Sequence, residues 1–225
     1  MKNDFFTGLT ATDLSHTISP AMPYFPGTEA PVFFKPFTLA SHGFAEQRIT
    51  MLTHSGTHMD APAHLLEAGP TLEQLGLPHF VGAAAVLDVS CVAGHIITKD
   101  DLLRFRRLLN GKNFALLHTA WSKHWGHKRY FSNYPVLSQE AAQWLSSFGF
   151  KGVGVDTISF DVHDSSTLPI HHIFLNKNIV LIENMANLQN IPAAEFLFCC
   201  LPLKIAEADG APVRAIALCD SRKKK

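Results

Sequence analysis

The stretch His54–His64, which reads HSGTHMDAPAH, constrains this chain more than any other. It places three histidines and one carboxylate at offsets 0, 4, 6 and 10. Gly56 and Pro62 interrupt it, and this disfavours a regular amphipathic helix. Imidazole and carboxylate groups bind zinc, manganese or iron, and a carboxylate can bridge two ions. The stretch therefore predicts a metal site whose remaining ligands come from elsewhere in the chain.

The composition indicates a globular protein with a substantial core. Of the 225 residues, 47% are hydrophobic and 17% are charged, which disfavours a disordered chain. We expect one domain spanning residues 1–225. The formal net charge is zero, so we expect neither a nucleic acid nor an anionic membrane as partner. The short basic tail at 222–225 is interpreted as a solvated chain end.

The cysteines and the N-terminal sequence favour a reducing compartment. Cys91, Cys199, Cys200 and Cys219 show no CxxC or zinc-finger spacing, and the adjacent pair lies in an apolar run typical of reduced, buried cysteines. The N-terminal residues lack the apolar core of a signal peptide. The sequence also lacks a run of about 18 apolar residues. We therefore expect a cytoplasmic protein.

Hydrophobic patterning predicts more strands than helices. Extended segments are predicted at 13–18, 31–39, 44–53, 82–90, 113–118, 152–155, 179–182, 195–205 and 212–218. Helices are predicted at 98–110 and 138–148, with shorter helical turns at 71–75 and 170–175. Thr98 and Asp101 form a capping-box signature, and Asp209-Gly210 is a hairpin turn signal. We predict a mixed α/β domain built on one sheet system.

A proline-rich loop at 20–28 presents two aromatic residues, Tyr24 and Phe25. Proline restricts the backbone, so the loop is expected to be stiff. One interpretation is a surface loop that packs its aromatic side chains on the body of the protein. The other is a lid over a substrate or a clamp between subunits. The composition leaves both open.

Two later residues, His171 and Glu183, lie beside apolar segments that could anchor them as ligands. Spacing alone leaves their role open. The set could hold two ions bridged by Asp60, or one ion with an open position for water. Such an ion lowers the pKa of its bound water from about 15.7 to about 7, so hydrolysis of a carbonyl compound is the expected use. A histidine not bound to metal would carry the proton.

Other kinds of active site are disfavoured. The chain has no Gly-x-Ser-x-Gly motif of a serine hydrolase. Gly152 and Gly154 follow the start of a predicted strand, but Thr157 stands where a dinucleotide-binding loop needs its third glycine.

The central stretch resembles the HxGTHxDxPxH signature of the cyclase family of metal-dependent hydrolases, which includes bacterial kynurenine formamidases and isatin hydrolases. Further blocks similar to that family follow in the right order and cover almost the whole chain. They lie at 13–20, 25–27, 154–161, 168–172, 182–184, 201–203 and 211–215.

The resemblance implies a swivelling β/β/α-type fold with a mixed sheet. It implies a homodimer or homotetramer with one or two Zn²⁺ or Mn²⁺ ions per subunit. By position, one ion would be held by His54, His58 and Asp60, and a second by Asp60, His171 and Glu183.

The resemblance also implies roles for three other residues. His64 would be the catalytic acid/base or a partner of the ligands, and Tyr24 and Phe25 would lie near a small-molecule substrate. Two positions depart from the family pattern: Thr28 replaces a frequent acidic residue, and Ala120 replaces the glycine of a Thr-Gly-Trp block. Both lie where substrate selection is expected.

The expected function is hydrolysis of a C–N amide bond, with arylformamidase activity on N-formylkynurenine as the leading hypothesis. In it, metal-activated water attacks the formyl carbonyl and His64 passes a proton to the leaving aniline. The alternatives are a cyclic-amide hydrolase of the isatin type, a lyase or cyclase, and a metal-binding protein without catalysis.

Overall fold

The structure, a computed structural model, describes residues 8–220. Its strands, in chain order, are β1 (Leu9–Asp13), β2 (Val32–Phe37), β3 (Glu46–Thr50), β4 (His58–Asp60), β5 (Val81–Asp88), β6 (Ile96–Ile97), β7 (Phe114–His118), β8 (Val136–Leu137), β9 (Gly152–Val155), β10 (Val180–Glu183), β11 (Glu195–Pro202) and β12 (Gly210–Asp220). The helices are α1 (Leu39–His42), α2 (Lys99–Leu103), α3 (Arg106–Leu109), α4 (Gln139–Ser146) and α5 (Pro169–Leu175). Short 3₁₀ helices lie at Pro62–His64, Leu72–Gln74, Leu77–His79, Trp121–His124, Lys128–Phe131 and Leu188–Asn190.

Eight strands form one mixed sheet in the order β1-β12-β11-β5-β7-β9-β10-β4. Strands β5, β7, β9 and β10 run parallel, whereas β4 is antiparallel to both β10 and β12. Because β4 joins β10 to β12, the sheet closes on itself. The long strand β12 receives β4 at 210–212 and β1 at 216–220.

The core lies on both faces of this sheet. Along β7, Phe114 and Leu116 belong to one buried cluster and Ala115 and Leu117 to another, as the two-residue period of a strand requires. The second cluster also contains buried side chains of α4 and α5. All five residues of β7 are buried, which is typical of a central parallel strand.

Most of the predicted architecture is confirmed. The fold is mixed α/β, and β5, β7, β9 and β10 lie close to their predicted positions. Ser138 caps α4, and Thr98 and Asp101 form the predicted capping box at α2. No helix within residues 8–220 is long and apolar enough to cross a membrane. The basic tail at 222–225 lies outside the described residues.

Three local predictions were wrong. The first strand is β1, not residues 13–18. A strand at 13–18 would need the edge of β12 that β4 occupies. Within 13–18, Ser15 makes an isolated bridge to Met185. The helix predicted at 98–110 is interrupted at Phe105, whose backbone has φ −91° and ψ −2°. Asp209-Gly210 is not the hairpin turn: residues 203–209 connect β11 to β12, and Gly210 begins β12.

The prediction of one sheet system was wrong, because two small sheets lie apart from the main one. The segments at 31–39 and 44–53 form one of them, in which β2 pairs with β3 around α1, and β6 and β8 form the other. Strand β3 ends at Thr50, so His54 lies in the loop that follows it. Only the later part of the central stretch is a strand, β4.

Candidate metal centre

The pairing of β4 with β10 brings three predicted ligands together. His58 and Asp60 are two residues apart on β4, so their side chains lie on one face, while the intervening Met59 points into the core. Glu183, at the end of β10, pairs directly with His58. In an antiparallel pair, such directly opposed side chains lie on the same face of the sheet. The sheet register therefore places one imidazole and two carboxylates at a single point.

The other two predicted ligands approach from a loop and a helix. His54 Nδ1 lies 2.7 Å from Asp60 Oδ1, and His171 Nε2 on α5 lies 3.2 Å from Glu183 Oε1 and 3.7 Å from Asp60 Oδ2. His58 Nε2 is 3.3 Å from Asp60 Oδ1 and 3.5 Å from Glu183 Oε2. All five residues therefore converge, and Asp60 lies at the centre of the group.

Hydrogen bonds fix which nitrogen of two histidines faces the centre. His58 Nδ1 lies 2.9 Å from the carbonyl oxygen of Gly56, and His171 Nδ1 lies 2.6 Å from Asp161 Oδ2. Both acceptors take the Nδ1–H, so Nε2 is the nitrogen of each ring that faces the two central carboxylates and is left to bind an ion. Metal-binding histidines are held in this way, by a carbonyl or carboxylate on the second ring nitrogen.

The donor set therefore fits a metal ion. One group of ligand atoms is His54, His58 and Asp60, and another is Asp60, His171 and Glu183; within each group the atoms lie within 4.8 Å of one another. Because the two groups share Asp60, the arrangement suits one ion or a bridged pair.

The charges at the centre call for a cation. Asp60 and Glu183 are buried, and within residues 8–220 their ion-pair partners are histidines rather than lysine or arginine. Burial lowers the pKa of His54, but Asp60 and Asp209 outweigh it and raise that pKa to about 9. Burial opposes the charge on His171 as well, yet Asp161 and Glu183 raise its pKa to about 10. A carboxylate pair this deeply buried is stabilised by positive charge.

His64 occupies the edge of this centre. It ends the 3₁₀ helix Pro62–His64, and its ring lies 4.1 Å from the ring of His54 and 6.2 Å from that of His171. Its Nδ1 is 3.5 Å from Asp209 Oδ2. Burial lowers the pKa of His64, which leaves a neutral imidazole able to accept a proton.

Asp209 is a site residue that the sequence analysis missed. Its Oδ2 lies 3.0 Å from His54 Nε2, and its Oδ1 accepts a hydrogen bond of 3.0 Å from Thr53 Oγ1. Together with His54 and His64 it forms a third group able to hold an ion. In the sequence, Asp209-Gly210 has the pattern of a turn. No local feature of the sequence indicates that Asp209 also contacts site residues.

Asp161 and Asn184 support the ligands from behind. Asp161 accepts hydrogen bonds from the backbone N–H groups of Ile170 (2.9 Å) and His171 (3.0 Å), which holds the start of α5 as well as the His171 ring. Asn184, at φ 55°, donates from Nδ2 to the Gly56 carbonyl oxygen that also holds His58. The sequence blocks contained both residues without indicating these contacts.

A cavity of about 420 Å³ opens onto the centre. Tyr24 and Phe25 line it, so the proline-rich loop lies at the site. Its other apolar walls are Leu52, Ile158, Val162 and Leu168. The Phe25 ring lies 5.7 Å from that of His163 across the opening. An aromatic compound would fit against these walls.

The chain is similar to several known proteins. The Cyclase family model matches residues 12–162. A kynurenine formamidase of Bacillus cytotoxicus is 36% identical over 169 residues, which cover 75% of this chain and 78% of that protein. A kynurenine formamidase of Erythrobacter litoralis is 30% identical over 207 residues, 91% of each chain.

Solved structures share the fold. An isatin hydrolase bound to the product analogue thioisatinate superposes with a TM-score of 0.87 at 23% identity, over 96% of this chain and 94% of that one. Isatin hydrolase A from Ralstonia solanacearum gives a TM-score of 0.85 at 25% identity, over 95% and 93%. The family model and the two formamidases show that the chain belongs to the cyclase family of metal-dependent hydrolases.

Proposed function

We propose that this protein is a metal-dependent arylformamidase, which hydrolyses the C–N bond of an N-formylated aromatic amine to the amine and formate. The observation that carries the proposal is the convergence of five ligand groups, with Asp60 at their centre, beneath a cavity with aromatic and aliphatic walls. The two relatives named kynurenine formamidase support the choice of reaction and make N-formylkynurenine the reference substrate.

The proposed cofactor is Zn²⁺ or Mn²⁺, with one or two ions per subunit. His54, His58 and Asp60 would hold one ion, and Asp60, His171 and Glu183 would hold a second. An ion bound there polarises a carbonyl oxygen and makes water a nucleophile near neutral pH.

The chain itself supplies positioning and proton transfer. Tyr24, Phe25 and Leu52 would hold the aromatic ring and exclude water from the reacting amide. When the C–N bond breaks, the leaving nitrogen must gain a proton. His64 is placed to take a proton from the attacking water and deliver it to that nitrogen, because it lines the cavity beside the ligands and its Nδ1 faces Asp209.

A cyclic amide hydrolase of the isatin type is the second candidate. The two isatin hydrolase structures match this fold over at least 93% of each chain. Opening a cyclic amide breaks the same kind of bond and would use the same residues. Only the shape of the substrate distinguishes the two candidates, so one assay panel tests both.

The experiment is metal analysis combined with hydrolysis assays on N-formylkynurenine and isatin. We expect activity on at least one, lost after chelation and restored by Zn²⁺ or Mn²⁺. The hydrolase proposal would be abandoned if the metal-loaded protein cleaved neither compound nor any member of a wider panel of amides, lactams and lactones.

The assignment of ligands is tested by substituting, one at a time, two adjacent histidines on α5. His171→Ala should lower the bound metal and reduce kcat/KM at least about 100-fold, since it removes a ligand and leaves Asp161 and Glu183 without their partner. His172→Ala is the control, because His172 does not line the cavity and should leave metal content and activity unchanged. Full metal content in His171→Ala would contradict the assignment.

We further propose that the protein forms a homodimer or homotetramer. The separate sheet of β2 and β3, with α1 and Phe44, exposes apolar side chains: Val32 is 60% exposed, Phe34 56%, Leu39 71%, Phe44 50% and Ile49 47%. A two-stranded sheet is marginally stable alone, and such a patch is typical of a protein interface. The molar mass in solution by light scattering tests this proposal, and a monomer at micromolar concentration would contradict it.

A further inference from the structure

We infer that the preferred substrate is an uncharged arylformamide, because among the described residues neither a lysine nor an arginine lines the cavity to bind the α-carboxylate of N-formylkynurenine. The inference rests on the proposed arylformamidase function and narrows its substrate class. It predicts that the amino-acid part of N-formylkynurenine contributes nothing to recognition.

The charged groups of the cavity carry the argument. Among the described residues, neither a lysine nor an arginine lines it, whereas three carboxylates do: Asp60, Glu183 and Asp209. Proteins bind a substrate carboxylate chiefly through arginine or lysine, often with paired hydrogen bonds from a guanidinium. Asp60 and Glu183 are proposed metal ligands, so Asp209 is the lining carboxylate that would face the α-carboxylate of a substrate.

Four of the five histidines in the cavity wall are engaged within the protein. His54, His58 and His171 point at the central carboxylates. His64 turns Nδ1 towards Asp209 and stacks near His54. The fifth, His163, lies at the open side against Phe25 and is followed directly by another carboxylate in the sequence.

Two hydroxyl groups at the rim, those of Thr28 and Thr53, are also engaged. Thr28 Oγ1 donates a 2.7 Å hydrogen bond to the carbonyl oxygen of Phe25. Thr53 Oγ1 donates to Asp209 Oδ1 at 3.0 Å. Neither hydroxyl can donate to a substrate carboxylate without giving up its present acceptor, and a hydroxyl has only one proton to donate.

The remaining wall favours an apolar ring. Tyr24, Phe25, Ile158, Val162 and Leu168 present aromatic and aliphatic surface to the cavity. Such surface binds a benzene ring well, whereas a carboxylate that loses its water there without a partner is strongly disfavoured. The reacting formamide and its ring are therefore the parts of the substrate that this cavity can recognise.

One lysine lines a neighbouring hollow beside the proline-rich loop. That hollow is bounded by Pro23 and Tyr24, which also line the main cavity, and by Lys128. Movement of Tyr24 would be needed before Lys128 could reach a substrate. Lys128 and His163 are thus the two residues whose removal tests for a carboxylate contact.

The experiment compares two substrates with the same reacting group. N-Formylkynurenine and 2-formamidoacetophenone both contain a formanilide with an ortho acyl group, but only the first carries the amino-acid carboxylate and ammonium. With metal-loaded protein we expect kcat/KM for 2-formamidoacetophenone to be equal to that for N-formylkynurenine, within a factor of three, or higher. A preference of more than threefold for N-formylkynurenine overturns the inference but leaves the arylformamidase proposal intact.

Two variants complete the test. In Lys128→Ala and His163→Gln we expect the ratio of the two kcat/KM values to stay within threefold of the unsubstituted protein. A selective loss of N-formylkynurenine hydrolysis in either variant overturns the inference, because it identifies a carboxylate contact. If neither compound is hydrolysed by metal-loaded protein, the arylformamidase proposal fails and this inference fails with it.

Discussion

Gly210 lies against the imidazole of His54, so closely that a Cβ atom on Gly210 would stand 2.6 Å from Cε1 and 2.7 Å from Nε2 of that ring. Non-bonded heavy atoms do not approach to such distances without displacement of one of them. The carbonyl oxygen of Met59 lies 3.0 Å from the same point. The absence of a side chain at the first residue of β12 thus leaves the space in which His54 reaches Asp60.

Gly210→Ala should therefore displace His54 from Asp60. The His54 ring is partly exposed and can move, so we expect a moderate loss of stability, about 1–3 kcal/mol. Loss of the 2.7 Å contact with Asp60 should lower metal affinity and reduce kcat/KM at least about tenfold. Metal titration, urea unfolding and kinetics measure these effects.

Gly76→Ala is the control for that substitution. Its nearest neighbour would be Pro78 Cδ at 3.5 Å, an ordinary contact, and its backbone at φ −75° and ψ 156° suits alanine. Stability should change by less than about 1 kcal/mol, with unchanged activity. Equal metal affinity in the two variants would contradict the proposed steric role of Gly210.

His64→Gln distinguishes two roles for that residue. If His64 carries a proton, the variant should keep its metal while kcat falls about 10²–10⁴-fold, because glutamine cannot accept a proton at neutral pH. If His64 is a ligand, through the group it forms with His54 and Asp209, metal content should fall instead. We expect the first result. Metal analysis on the same sample used for kinetics decides between them.

Asp161→Asn tests the support behind His171. The Asp161 carboxylate accepts three hydrogen bonds, from His171 Nδ1 and from the backbone N–H groups of Ile170 and His171. An asparagine presents an amide N–H₂ to at least one of these donors. We expect about 1–3 kcal/mol lower unfolding free energy and about 10–100-fold weaker metal binding.

The control lies in the same loop. Asp164 is exposed, so Asp164→Asn should change the unfolding free energy by less than about 0.5 kcal/mol and leave metal binding unaltered. Calorimetric metal titration of both variants gives the comparison. An Asp161→Asn protein that binds metal as tightly as Asp164→Asn would show that the His171 ring needs no carboxylate to orient it.

The residues of the candidate centre were largely predictable because they carry recognisable chemistry in a short motif and a few later blocks. His58 and Asp60 could be placed on one face from their two-residue spacing alone. The role of Asp209 could not be predicted in this way. It contacts His54 across 155 positions of sequence, and that contact depends on the register of β12 against β4.

The same limit explains the misplaced first strand. Residues 13–18 are locally suitable for a strand, but the available edge of β12 is divided between β1 and β4. Which segment occupies an edge depends on closure of the whole sheet. Periodicity reports only the two faces of a single strand, so it predicts β7 well and the ends of β1 poorly.

The backbone of Ala120, a position where this sequence departs from the family pattern, is expected to be strained, and a substitution tests this. It has φ 61° and ψ 20°, the left-handed region in which glycine is unstrained, and the resemblance to the cyclase family implies a glycine at this position. Ala120→Gly should therefore stabilise the protein by about 0.5–1 kcal/mol. Ala142→Gly, within α4, should have the opposite sign and cost about 1 kcal/mol. Urea unfolding of the two variants checks both signs, and destabilisation by Ala120→Gly would contradict the expected strain.

His16 should make stability depend on pH. Its ring stacks on Trp125 with centroids 3.9 Å apart, and its buried Nε2 has no hydrogen-bond partner among residues 8–220. Burial lowers the pKa of His16 to about 4, below the value of about 6.5 in an unfolded chain. The unfolded state therefore binds the proton first as pH falls. The stabilisation is complete above about pH 6.5 and is lost between pH 6.5 and about 4.

His16→Phe keeps an aromatic ring against Trp125 and removes the titrating group. The backbone N–H of residue 16 can still donate to Thr57 Oγ1, as it does in the native protein at 2.9 Å. When the pH falls from 6.5 to 4, the unfolding free energy of both proteins should fall. The decrease should be smaller for the variant than for the native protein, by on the order of 1–2 kcal/mol. This figure discounts the pKa shift because the ring is only half-buried. Urea unfolding of metal-free protein at pH 7, 5.5 and 4.5 measures it. If the unfolding free energies of the two proteins change in parallel with pH, burial of His16 does not contribute to the pH dependence of stability.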